Sequence, residues 1–136
     1  METMEILADL IDLWLPDFKF WEDACAKRLM CLGGKASYRE VVKRNHIFAA
    51  EHGSMIIRHL VMPHHLECCT QPILEFIADK MRDRVLVNVM AQYYPANLVK
   101  LYPTKYQDIA CTPSEGEIRR AYEIARSLGL EFAQVS

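Results

Sequence analysis

Three apolar stretches of this chain each end in side chains suited to holding a small charged ligand. Ile11-Asp12-Leu13-Trp14-Leu15 runs on to Asp17 and Lys19; Met55 to Met62 carries Arg58; Val85 to Ala91 carries Asn88 and delivers Gln92. In extended backbone alternate residues share a face, so Asp17 and Lys19 point with Leu13 and Leu15, while Arg58 and His59 point oppositely. An acid, two bases and amide groups on one rim suit a zwitterion bearing a carboxylate and an amine. The same Asp17, Lys19 and Arg58 would also satisfy one another as a structural ion network, and pattern alone slightly favours that plainer outcome.

A second group is His59, His64, His65, Cys68 and Cys69, crowded into one strand-to-helix connection. Zinc accepts both residue types, but this spacing matches no standard zinc arrangement. The expectation is solvated loop histidines beside partly buried thiols, with no metal site and no stoichiometric zinc. Cys25 and Cys31, on or just after a helix, are expected to fill core. Trp14, Trp21, Tyr93 and Tyr94 are able to stack a base, though aromatics at strand ends more often pack. No constellation supports a Cys–His hydrolase.

The elements that must position these residues are legible in the periodicity. A short amphipathic helix is expected over Met4–Leu10 and a strand over 11–15, limited by Pro16. Helices follow from Glu22 to Leu32, with Gly33-Gly34 as cap, and from Ser37 to Gly53. A strand over Met55–Met62, a helix over Pro72–Arg82 and a strand over Val85–Ala91 come next. Ser114-Glu115-Gly116-Glu117 reads as a capping box for a helix ending at Gly129, and Glu131–Val135 as a short last strand. Strands alternating with helices imply βαβ crossovers and a parallel sheet, in which ligands gather at the C-terminal strand ends. Near-continuous apolar strands suggest burial on both faces. Tyr93 to Pro113 has weak periodicity, and loops of that length are usually functional or disordered.

Composition sets the outer bounds. The 136 residues fit one domain (1–136); half are apolar and a quarter charged, as in ordinary globular proteins. A formal charge of −2 argues against nucleic acid as partner. No apolar run suits a membrane span, and the acidic start is unlike a signal peptide. Five cysteines, two of them adjacent, do not form a disulfide framework, so a cytoplasmic setting is expected.

Three segments carry a resemblance. Asp12-Leu13-Trp14-Leu15-Pro16-Asp17-Phe18-Lys19-Phe20-Trp21 resembles the fourth-strand motif of radical S-adenosylmethionine (SAM) activating enzymes. Arg58-His59-Leu60-Val61-Met62-Pro63 is similar to their fifth strand, and Asn88-Val89-Met90-Ala91-Gln92-Tyr93 to their sixth. The match runs in order along essentially the whole chain and includes the helix from Glu117 to Leu130. The chain thus resembles the C-terminal half of a radical SAM protein of the pyruvate formate-lyase-activating type, and is similar to uncharacterised homologues of that enzyme. The resemblance implies half of a partial (β/α)6, TIM-like barrel. It implies that Asp17 and Lys19 contact the amino acid and ribose portions of SAM, Arg58 its carboxylate, and Gln92 or Tyr93 its adenine.

The departures matter as much. That family binds a [4Fe-4S] cluster, on which SAM is reductively cleaved, through C-x3-C-x2-C after its first strand. Here Cys25 and Cys31 have five residues between them, Cys68 and Cys69 touch in sequence, and Cys111 stands alone. Three thiolates at the wrong spacing give a cluster no cradle. The resemblance therefore implies SAM and [4Fe-4S] for a full-length enzyme of a type that includes activases of protein substrates, with no cofactor and no activity expected in this chain alone. The alternative is a degenerate half-barrel kept for binding or assembly. In either case a missing N-terminal half, or a second copy, is expected to cover the inner face formed by Ile11, Leu13, Leu15, Ile56, Leu60 and Met90.

Overall fold

The computed structural model describes residues 1–135, without the side chains from 133 onward. In chain order the elements are α1 (Glu2–Ala8), β1 (Leu13–Trp14), α2 (Asp23–Leu29), α3 (Tyr38–His52), β2 (Ser54–Leu60) and a π-helical turn (Leu66–Thr70). They continue with α4 (Gln71–Lys80), β3 (Val85–Met90), α5 (Leu98–Leu101), a 3-10 turn (Gln107–Ile109), α6 (Glu115–Ser127) and β4 (Phe132–Val135). The strands form one parallel sheet in the order β1-β2-β3-β4. No described helix is long and apolar enough to cross a membrane.

Sequential parallel order with same-handed crossovers puts the helices on one side of the sheet. Burial follows that side. Trp14, Met55, Ile57, His59, Val85, Val87 and Val89 are buried beneath the helices, with Ile73, Leu74, Ile77, Ala121 and Ala125 packed over them. The opposite face is open, with Leu13, Leu15 and Leu86 each more than 40% exposed. The expectation of burial on both faces is thus corrected for this chain: only one face is covered by its own helices. Ile11 also leaves the predicted inner face, because its N–H bonds the Leu7 carbonyl at the end of α1 (3.0 Å). Leu86 takes a place there that the sequence reading omitted.

Local chemistry explains the element ends. Ser37 caps α3 by accepting the Glu40 N–H (3.2 Å). At Gly53 a Cβ would stand 3.1 Å from Trp14 Nε1, so a side chain there would require the indole to give by a few tenths of an ångström. The capping box of α6 is complete, and Gly129 takes the left-handed conformation (φ 67°) past its end. The helix before Gly33-Gly34 ends earlier than predicted, at Leu29, and the left-handed residue closing it is Cys31 (φ 53°), not a glycine. The stretch from Tyr93 to Pro113 is not bare loop. It folds as α5 and the 3-10 turn, buries Tyr106 and Ile109, and is pinned by Tyr93 donating its hydroxyl to the Ile109 carbonyl (2.8 Å).

Candidate functional site

The polar row on the open face is built by strand register. Pro16 cannot donate, but its carbonyl accepts the Arg58 N–H (2.8 Å), and the Phe18 N–H returns to the Arg58 carbonyl (3.0 Å). This resumes the β1–β2 ladder past the proline and sets Asp17 opposite Arg58. Arg58 in turn pairs with Asn88 in β3. Asp17, Arg58 and Asn88 therefore form one row across three strands, bounded by the apolar rows Ile56–Leu86 and Leu60–Met90.

Within that row Asp17 joins two cations. Lys19 Nζ lies 3.0 Å from Asp17 Oδ2, and Arg58 Nη2 lies 2.8 Å from Asp17 Oδ1. Asp17 Oδ1 is shielded from solvent and meets the guanidinium charge without an aligned hydrogen bond. Asn88 Oδ1, at the β3 end of the row, is buried with no partner among the described residues, an uncompensated acceptor. An open depression of about 500 Å³ gathers Asp17, Lys19, Arg58 and Gln92 with Leu60, Met90, Tyr93, Tyr94 and Ala96. All four residues expected to contact a ligand thus meet in one place. Of the aromatics considered for stacking, Trp14 is buried and Trp21 packs against Phe18 and Phe76, while Tyr94 is the exposed ring at the depression.

Beneath the row, His59 is fully buried. Its Nδ1–H donates to the Phe18 carbonyl (2.8 Å) and Nε2 accepts from the Thr70 hydroxyl (2.9 Å), which fixes the neutral tautomer. Burial pushes its pKa down to about 4, against the opposing pull of the Phe18 carbonyl. His65 is buried too: its Nδ1–H donates to the Pro63 carbonyl (2.8 Å), and Nε2 faces Asp108 at 3.5 Å. The solvated-histidine expectation is therefore corrected; only His64 is exposed among the three. His64 adopts φ 61° after Pro63 and donates its N–H to Glu117 Oε1 (2.6 Å). Asp108 also binds Arg28. Its burial works to raise its pKa, but the guanidinium holds it below the usual carboxylate range.

The sequence reading missed one convergence. Cys25 of α2 and Cys68 and Cys69 of the π-helical turn bring their three sulfurs within 4.8 Å of one another. No motif announces it, because the contact depends on packing α2 against a turn more than forty residues away. Cys68 and Cys69 lie within a π-helical turn, a local form that recurs at functional sites. Burial pushes the Cys68 thiol up to about 12 and raises Cys25 as well, so neither is an activated nucleophile.

The fold has a counterpart among solved structures. A crystal structure of a domain of pyruvate-formate lyase-activating enzyme from Bacteroides vulgatus superposes with a TM-score of 0.70, covering 99% of this chain and 74% of that one at 17% identity. At that identity the likeness speaks to fold alone. An uncharacterized protein of Methanocaldococcus jannaschii is 40% identical over 132 residues, 97% of this chain. The chain spans 36% of that relative's length. No protein-family model matches.

Proposed function

We propose that the chain is the C-terminal half of a radical SAM barrel and supplies the rim that holds the methionine end of SAM. The observation that carries this reading is the meeting of Asp17, Lys19, Arg58 and Gln92 in one depression at the C-terminal ends of parallel strands. A carboxylate next to two cations is complementary to the ammonium and carboxylate of an amino acid. Tyr94, exposed at the same depression, would stack on an adenine.

A [4Fe-4S] cluster does not fit the residues present. Each thiolate of a cubane binds a different iron, so its sulfurs must be spread around the cluster, whereas Cys25, Cys68 and Cys69 crowd within 4.8 Å. Cluster binding and SAM cleavage therefore belong to a complete barrel. The open face, with Leu13, Leu15 and Leu86 exposed and an uncovered strand at the β1 edge, is the surface on which the complementary half, or a second copy, would sit. A protein substrate would be met by the complete barrel.

One observation favours a second reading, a scaffold without catalysis: Asp17 already pairs with both Lys19 and Arg58 internally. Titrating the isotope-labelled chain with SAM and following backbone amides separates the two. The ligand reading predicts weak saturable binding, with shifts at Asp17, Lys19, Arg58 and Gln92, weakened about tenfold in Lys19→Ala by loss of a charge-assisted contact. Absence of shifts at these four, or shifts unchanged by Lys19→Ala, would leave the scaffold reading.

A further inference from the structure

The cysteine trio stands apart from the polar row, on the helix-covered side of the sheet. Cys69 is buried and Cys25 and Cys68 are half-buried, so the three sulfurs face one another at the edge of the core. Cys68 Sγ and Cys69 Sγ are 3.8 Å apart, and the third sulfur lies within 4.8 Å of both. Metal–thiolate bonds of about 2.3 Å place three sulfurs around one ion about 4 Å from each other, so the trio is close to a trigonal ligand set as it stands.

The ligand set also discriminates among ions. Among the described residues no histidine or carboxylate joins the three sulfurs as a fourth ligand. Zinc in structural sites takes four ligands, hard ions take oxygen, and a three-sulfur site suits a soft monovalent ion of the Cu(I) kind. We propose that Cys25, Cys68 and Cys69 form a binding site for one soft, thiophilic metal ion, with Cu(I) as its best-fitting occupant. Binding would clamp α2 to the turn that leads into α4, two segments remote in sequence.

The test is an anaerobic titration of the reduced full chain with Cu(I) against a chromophoric Cu(I) chelator, with copper X-ray absorption on the loaded protein. The expected result is one tightly held copper per chain with three sulfur neighbours. Cys25→Ser and Cys68→Ser should each lower affinity at least tenfold and reduce the sulfur count, whereas Cys31→Ser and Cys111→Ser, at exposed positions, should leave both unchanged. Because Cys25 and Cys68 are only half-buried, circular dichroism will separate unfolding from loss of ligand; a folded Cys25→Ser that binds copper as wild type overturns the proposal. So does a copper bound through two sulfurs in the wild-type chain, or equal loss in Cys31→Ser.

Discussion

His59 links the polar row to the core. It sits on the covered face one residue after Arg58 and ties the Phe18 carbonyl, next to Asp17, to Thr70 at the start of α4. Its folded pKa of about 4 lies below the ordinary 6.5, so the unfolded chain binds a proton that the folded chain refuses. Stability is full above about pH 6.5 and falls as pH drops toward 4, by up to about 3 kcal/mol. His46, whose pKa is lowered by burial, acts in the same direction. The depressed carboxylates of Asp108 and Glu117 lose their contribution at lower pH, below the carboxylate range. Urea unfolding across this window should show stability rising with pH. His59→Gln should cost about 1–3 kcal/mol at neutral pH and flatten the dependence between pH 6.5 and 4. An unchanged pH profile in that variant would contradict the buried neutral tautomer. The sequence placed His59 opposite Arg58 correctly but could not reveal its partners, because the Phe18 carbonyl and Thr70 reach it only through tertiary packing.

At the scale of elements, α6 holds the loop after β2. Glu117 closes the capping box, its Oε2 accepting from the Ser114 N–H and hydroxyl (both 2.8 Å), and its Oε1 takes the His64 N–H. Burial alone would raise its pKa; the His64 and Ser114 donors bring it below the ordinary value. Glu117→Ala should destabilise the chain by about 1–2 kcal/mol, more than a cap alone, because it also frees a loop residue held at positive φ. Chemical denaturation checks this, and a loss within a few tenths of a kcal/mol of zero would argue that the loop is held by other contacts. The box was legible because its residues are local in sequence; its second duty toward His64 was not. The same division runs through the fold. β2, β3, α3, α4 and α6 follow from periodicity, within a residue or two at their ends. The first strand is cut to Leu13–Trp14 because Ile11 is claimed by α1 and Pro16 interrupts the ladder. The cysteine trio and the folded segment after β3 arise from long-range packing that no window of sequence records.

The whole molecule is a parallel α/β sheet with one face dressed by helices and the other open, and the polar row lies on the open side. That asymmetry underlies the proposal of a half-barrel: Asp17, Lys19, Arg58 and Gln92 meet in one depression, while the thiols are too crowded for a cluster. The measurement that tests this most directly is 5′-deoxyadenosine formation after anaerobic reconstitution with iron and sulfide, then dithionite and SAM. It is made on the isolated chain and on the chain joined to strand–helix units carrying C-x3-C-x2-C. A half-barrel should give no product as the isolated chain, product as the joined protein, and strongly reduced product when the joined protein carries Lys19→Ala. Steady 5′-deoxyadenosine from the isolated chain, or a joined protein whose output is indifferent to Lys19→Ala and Arg58→Ala alike, would contradict it.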